Sequence, residues 1–351
     1  MADLTSALID GLVADSTDYR PGTRPIHTVG IGAVGRFRGS SVAGSYTKAR
    51  HFVRSWTPVT IRFSNGSGAT VPDGEKQVRG MAVKFHLPEE TDETGVHHAA
   101  VDTDLLTMSV PVFIAKTPED SIEFSKAYEP KPMPAISRRE RLKALLALSP
   151  LPAMPPTGTI TGDPGVVAFA QHYAPGRALA IAYSMLSPPV SYLRTAFHAV
   201  HAFDLEDPQG NHRWVRFVFE PAEGVRDELR TDLPYDYLRH DLGTRLAARP
   251  GRFVLRMQIA DPWDDPSDPT TVWLANRRRI SMGTLMVDRL VDDQVADCEK
   301  LSFNPGRLVP GIGLSADPIL QARVAVYNES QARRDATQCP VHTAGPAPAS
   351  S

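Results

Sequence analysis

Residues 59–68 read Val59-Thr60-Ile61-Arg62-Phe63-Ser64-Asn65-Gly66-Ser67-Gly68. Every second residue as far as Phe63 is apolar and glycines close the run, the pattern of a strand that turns one face to a core. The same period recurs at Met81, Val83 and Phe85, at Val215, Phe217 and Phe219, and at Phe253, Leu255, Met257 and Ile259. Gly and Pro clusters bound each stretch. Short connections between several of them suit hairpins or meanders, so the strands are expected to pair antiparallel. Helical signals are fewer. Thr117 precedes Pro118, Glu119 and Asp120: a cap, a proline at the first helical position and an acidic first turn, predicting a helix over 118–128. Ser137 to Leu148 is basic and leucine-rich between prolines, a second helix. Asp317 to Arg334, opened by Pro318 and carrying Ile319, Leu320, Ala322 and Val326, reads as the last long helix. Strands, a Pro-rich helical region, strands again and a terminal helix predict an α+β fold on a barrel or curved sheet.

Composition narrows the function class. The chain has 351 residues, 42% hydrophobic and 22% charged, with a formal net charge of −2. Near-neutral charge argues against a binder of nucleic-acid backbones, which would carry a basic stripe. Cys298 and Cys339 do not make a secreted disulfide framework. The N-terminus carries Asp3, Asp10, Asp15 and Asp18 and lacks a signal peptide's positive start and apolar stretch. No run approaches the roughly 18 apolar residues of a membrane span, so the expected compartment is the cytoplasm. The 31 prolines exclude a long-helix bundle and favour short elements with ordered loops. One domain over 1–335 is expected, with an ordered Pro-rich excursion at 129–156 and a disordered tail at 336–351.

Five local features carry chemistry. They are Arg24-Pro25-Ile26-His27; the strand 59–68 with Arg62 and Ser64; Val78-Arg79-Gly80-Met81-Ala82-Val83-Lys84-Phe85; Asp104-Leu105-Leu106-Thr107-Met108-Ser109-Val110-Pro111-Val112-Phe113; and Phe303-Asn304-Pro305 through Gly311-Ile312 to Arg323-Val324-Ala325-Val326-Tyr327. Each alone is weak: a lone His, a Ser among glycines, or an Arg and a Tyr four apart on a helix face are ordinary structural features. Together, in this order, they resemble the haem catalases, from about Arg24 to Arg334. Ser191-Tyr192 with His201-Ala202-Phe203, Asp268 to Trp273, and Gly283 to Arg289 extend the match. The chain is shorter than a full catalase, and so is similar to the compact catalase-related peroxidases.

The resemblance implies an eight-stranded antiparallel β-barrel flanked by α-helices, with a ferric haem b against the barrel wall. Tyr327 is then the axial iron ligand and Arg323, four residues earlier, the cation beside its oxygen. A phenol with an ordinary pKa near ~10 ligates well only once ionised, which iron and a guanidinium both favour. His27 is implied as the base on the other, distal side. It would move a proton between the two peroxide oxygens, with Ser64 fixing its tautomer. Arg24, Arg62 and Arg334 match the family's propionate-binding arginines, suited to carboxylates by their two-pronged fork. Phe113 and Phe303 match apolar positions of the haem pocket.

One departure matters most. Full catalases carry an Asn on the distal side, where this chain has Met108. An amide can donate a hydrogen bond to a second peroxide, whereas a thioether is only a weak acceptor. Oxidation of a second hydrogen peroxide to dioxygen should be impaired, leaving a ferryl intermediate to take electrons from a small organic reductant. The expected activity is thus a haem peroxidase reducing hydrogen peroxide or organic hydroperoxides. A weak true catalase, a fatty-acid hydroperoxide converter and a non-enzymatic haem-binding protein are the alternatives. A homo-oligomer, a dimer, is expected, with no nucleic-acid or membrane partner. His97-His98 are read as a loop.

Overall fold

The computed structural model describes residues 2–16, 19–66, 71–92, 95–128 and 186–337. The expected helix at 137–148, the excursion at 129–156 and the tail from 338, with Cys339, lie outside the described residues. Twelve strands occur among the described residues: β1 (Gly30–Gly39), β2 (Thr57–Asn65), β3 (Arg79–Leu87), β4 (Glu90–Thr91), β5 (His97–His98), β6 (Val101–Met108), β7 (Phe197–His198), β8 (Phe203–Glu206), β9 (His212–Pro221), β10 (Gly251–Ile259), β11 (Arg279–Leu290) and β12 (Ile312–Leu314). Pairing runs β1-β2-β3-β6-β7-β9-β10-β11, and β11 returns to β1, so eight antiparallel strands close a barrel. The short β8 continues along β9 beyond β7 and carries β12.

All four alternating runs of the sequence are barrel strands, and their apolar sets point inward. Phe37, Phe63, Phe85, Phe197, Phe219 and Phe253 are each fully buried there, with Phe37 and Phe85 edge to face at 5.2 Å. An eight-stranded barrel is just wide enough for side chains to fill it, and these rings and their aliphatic neighbours make this interior the core. The outer faces differ. On β10 the outward residues reach solvent, whereas β2 is buried on both faces from Val59 to Asn65. Arg62 and Ser64 are outward on β2 and yet buried, so something covers the β2–β3–β6 wall from outside, and the candidate site lies there.

Helices are α1 (Ala2–Asp15), α2 (Arg50–Val53), α3 (Pro118–Tyr128), α4 (Tyr237–Ala248) and α5 (Pro318–Asp335). α3 has the predicted span; Thr117 Oγ1 accepts from the Asp120 N–H and the Asp120 carboxylate accepts from the Thr117 N–H, a reciprocal cap. α5 is capped by Asp317, whose Oδ1 accepts from Ile319 and Leu320 N–H at 2.8 and 3.2 Å. α1 lies against α3 and α5 and is pinned by Arg333 to Asp10 at 2.7 Å. α4, absent from the sequence reading, packs Leu238, Leu242 and Leu246 inward at four-residue spacing. His97-His98 form the β4–β5 ladder rather than a loop, because Asp92 gives His98 a partner at 3.0 Å across the turn. Among the described residues no helix is long and apolar enough to cross a membrane.

Candidate active site

Strand register builds the wall. Gly30 faces Ser64 on β2, Ser64 faces Gly80 on β3, and Gly80 faces Met108 on β6. Directly opposed residues point to one side of a sheet, so Ser64 and Met108 flank a glycine on the outer face. His27, just before β1, enters over that glycine. A Cβ on Gly80 would lie 2.7 Å from Ser64 Oγ and 2.9 Å from the His27 Cε1, so only glycine admits the ring. Ser64 Oγ is 3.0 Å from His27 Nδ1. The His27 backbone is left-handed, φ +54°, where no other non-glycine among the described residues goes. Burial, then the positive field of Arg62 and Arg323, pushes the imidazole down to about 3, so it is neutral at ordinary pH. Met108 is half-buried beside Val110, Val112 and Leu186.

Three arginines gather at one end of this wall around Glu299. Arg62 Nε and NH2 lie 3.1 and 3.2 Å from the Glu299 oxygens, and Arg24 NH1 is 2.5 Å from Oε2. Arg334 NH1, from α5, donates to the Glu299 carbonyl at 3.1 Å. Burial opposes a charge on Glu299, but Arg62 and Arg24 prevail and hold it below the usual carboxylate range. The same carboxylate raises Arg62 against the effect of burial.

The last helix supplies the opposite cluster. Asp317 accepts from His201 Nδ1 at 2.6 Å, and both side chains are almost fully buried. A carboxylate at Nδ1 leaves the proton there, so Nε2 is an acceptor and takes Arg323 NH1 at 2.7 Å. Arg323 NH2 reaches the Tyr327 hydroxyl at 3.2 Å. Burial lowers His201 to about 4 even though Asp317 works the other way. The result is a chain of four side chains ending on a phenol oxygen. Phe113 covers it, 5.9 Å from the His201 ring and 6.0 Å from Arg323.

The structure thus brings His27, Ser64 and Met108 to one wall, Arg24, Arg62 and Arg334 to its end, and Arg323, Tyr327 and Phe113 to α5. Arg334 of α5 reaches Glu299, and Phe113, five residues after Met108, meets Arg323, so α5 is joined to both the arginine cluster and the segment that follows Met108. Phe303 is buried with Lys84 Nζ over its ring at 5.2 Å, and Lys84 shares the outward face of β3 with Gly80. Asn304, next to Phe303, ties the loop to α5, donating to Val324 O and Asn328 Oδ1. Sequence reasoning missed Glu299 and Asp317, and quoted His201 without a role. The one usable signal was Asp317 as helix cap.

The catalase family model matches residues 11–149 and 169–344. The chain is 30% identical over 316 residues to a catalase-related peroxidase of Mycolicibacterium paratuberculosis, covering 89% of this chain and 88% of that one. It is 27% identical over 317 residues to a catalase-related peroxidase of Synechococcus elongatus, covering 89% and 84%. It is 28% identical over 333 residues to catalase isozyme 2 of Solanum tuberosum, covering 89% of this chain and 60% of the longer plant protein.

Proposed function

This chain belongs to the catalase family and is an oxidoreductase acting on peroxide, and on that premise we propose that it is a haem b peroxidase that spends hydrogen peroxide or an organic hydroperoxide on a small organic donor. Three observations support haem as the group held. The hydroxyl of Tyr327 accepts from the Arg323 guanidinium at 3.2 Å, and a phenol oxygen is the axial donor that a catalase haem takes. Three guanidiniums around one carboxylate leave a local charge of +2, which suits two propionates. Gly80 opens the wall where an imidazole must sit above a flat group. When bound, haem supplies the redox-active iron that accepts oxidising equivalents from peroxide and passes them to the donor.

The chain's own residues do the rest. Tyr327 would hold the iron. Asp317 and His201 orient Arg323, whose NH2 donates to the phenol oxygen. His27 is neutral, so its Nε2 lone pair can take the proton from one peroxide oxygen and return it to the leaving oxygen. With Nδ1–H donating to Ser64, Nε2 stays the acceptor.

Met108 carries the choice of peroxidase over catalase. It lies in the Ser64–Gly80–Met108 row, on the His27 side of the wall, and a thioether cannot donate the hydrogen bond that would orient a second peroxide for oxidation. Simultaneous recording of dioxygen with an electrode and of dye oxidation by absorbance tests this. Dye oxidation with little gas is expected; rapid gas evolution that a donor does not suppress would show a catalase. Peroxide consumption without either, with a fatty-acid hydroperoxide as the preferred substrate, would show a hydroperoxide converter.

A further inference from the structure

We infer that Glu299 is a positioning residue for His27: its carboxylate fixes the Arg62 guanidinium, and Arg62 holds the backbone turn that lays the imidazole on Ser64. The inference rests on the reading of His27 as the base. A left-handed non-glycine residue persists only where its surroundings over-determine it. At His27 the surroundings are Arg62. Its NH2 donates to the carbonyls of His27 and Thr28 at 3.0 and 3.3 Å. It reaches them by passing over Gly30, where a Cβ would lie 2.3 Å from the guanidinium carbon. The other ties are between neutral groups, whereas Arg62 donates from a charged one: the His27 N–H donates to Gly66 O at 3.4 Å, Thr28 Oγ1 donates to Arg24 O at 3.0 Å, and Ser64 Oγ lies 3.0 Å from His27 Nδ1.

A guanidinium on a long stem can turn among acceptors. Glu299 prevents this by engaging Nε and NH2 of Arg62 together, while Oε2 also holds Arg24, three residues before His27. Both flanks of the turn are thereby strapped to one carboxylate. Glu299 is itself well anchored. It ends a single π-helical turn, Val295–Glu299, whose Glu299 N–H donates to Gln294 O at 2.9 Å. The Gln294 side chain exchanges two hydrogen bonds with the Gly32 backbone on β1, at 2.6 and 3.0 Å. On the other side Arg334 of α5 donates to the Glu299 carbonyl. One residue therefore ties the strand that follows His27 to the helix that carries Tyr327. An extra residue in such a turn is a common device for aiming a functional group.

Glu299→Gln keeps the shape but removes the charge and turns an amide N–H₂ toward a guanidinium donor. Two readouts are compared with wild type and with His27→Ala. In the full-length apoprotein, ¹⁵N NMR of the imidazoles is expected to show one fixed tautomer at His27 in wild type and averaged signals in Glu299→Gln. In the haem-loaded protein, the second-order rate with peroxide is expected to fall about ten- to a hundred-fold, as for a reacting group displaced by about an ångström, with the KM for donor unchanged. Glu299→Asp keeps the charge with the oxygens withdrawn; it should fall between, and carries the test if the Gln variant does not fold. Wild-type imidazole signals and peroxide rate in Glu299→Gln, beside an inactive His27→Ala, would overturn the positioning role alone. A His27→Ala protein that reacts as fast as wild type would overturn the base assignment instead.

Discussion

Replacing Asp317 by Asn separates two jobs that one carboxylate performs. Oδ1 caps α5 through the Ile319 and Leu320 N–H groups, and Oδ2 accepts from His201 Nδ1. Asn is as good a helix cap as Asp, so Asp317→Asn keeps the first job with its amide oxygen. Its amide nitrogen must then face His201. If His201 keeps its proton on Nδ1, two donors meet. If the proton moves to Nε2, that nitrogen meets the Arg323 donor that it accepts from at 2.7 Å in wild type. Either tautomer leaves a buried donor without an acceptor, at a cost of about 1–3 kcal/mol. Asp317→Ala loses the cap as well, about 1 kcal/mol more. Denaturant unfolding of the apoprotein should therefore rank wild type above Asn above Ala, with most of the loss already present in Asn. Haem titration followed at the Soret band should show weaker binding in both variants, because Arg323 is no longer oriented onto Tyr327. If Asp317→Asn matches wild type in stability and haem affinity while Asp317→Ala loses only the cap's share, Asp317 is a helix cap and nothing more.

Tyr327→Phe removes the phenol while leaving the ring, and should give weak haem binding and no peroxide turnover; haem content and rate equal to wild type would remove Tyr327 from the iron. Met108→Asn restores an amide donor in the row with Ser64, and should raise dioxygen release per peroxide consumed; an unchanged ratio on the oxygen electrode defeats the account of the missing second step. His51 is buried, its Nδ1 has no partner, and it packs at 4.7 Å from the Phe85 ring. Burial lowers it from 6.5 to about 3. Between those values the unfolded chain binds the extra proton, so stability is lost as pH falls below about 6.5, at up to roughly 1.4 kcal/mol per pH unit for this one group. His51→Phe should thus gain on wild type as apoprotein melts move from pH 7 to pH 5. A difference that stays constant with pH would mean that packing alone is at work.

The barrel was legible because its strands alternate, and alternation survives any rearrangement of what lies outside. β2, β3, β9 and β10 show it in plain form, and their inward residues are the core. β1 does not, since Gly30, Gly32, Gly35 and Gly39 replace the side chains that would mark the period. Those glycines answer to tertiary neighbours, such as Arg62 over Gly30 and Cys298 against Gly32, that no local pattern displays. α4 was missed although its leucines repeat every four residues, because Arg239, His240, Asp241 and Arg245 between them give the segment a polar average.

The site shows the same division. Motif order gathered His27, Ser64, Arg323 and Tyr327, and the distances agree that each pair is in reach. What the motifs could not display is the groups that act on those residues from a distance in the chain. Arg62 reads from its strand as a charge awaiting a ligand. In the fold it is already engaged by Glu299, 237 residues later, and spends NH2 on the His27 turn. Asp317 reads as a cap and is also the partner that sets the tautomer of His201. In both cases a carboxylate outside the recognisable motif orients a cation inside it. Retention of the motif residues alone therefore does not ensure a working site: a relative with His27, Arg62, Arg323 and Tyr327 intact but without acids at 299 and 317 should hold haem loosely and react slowly with peroxide.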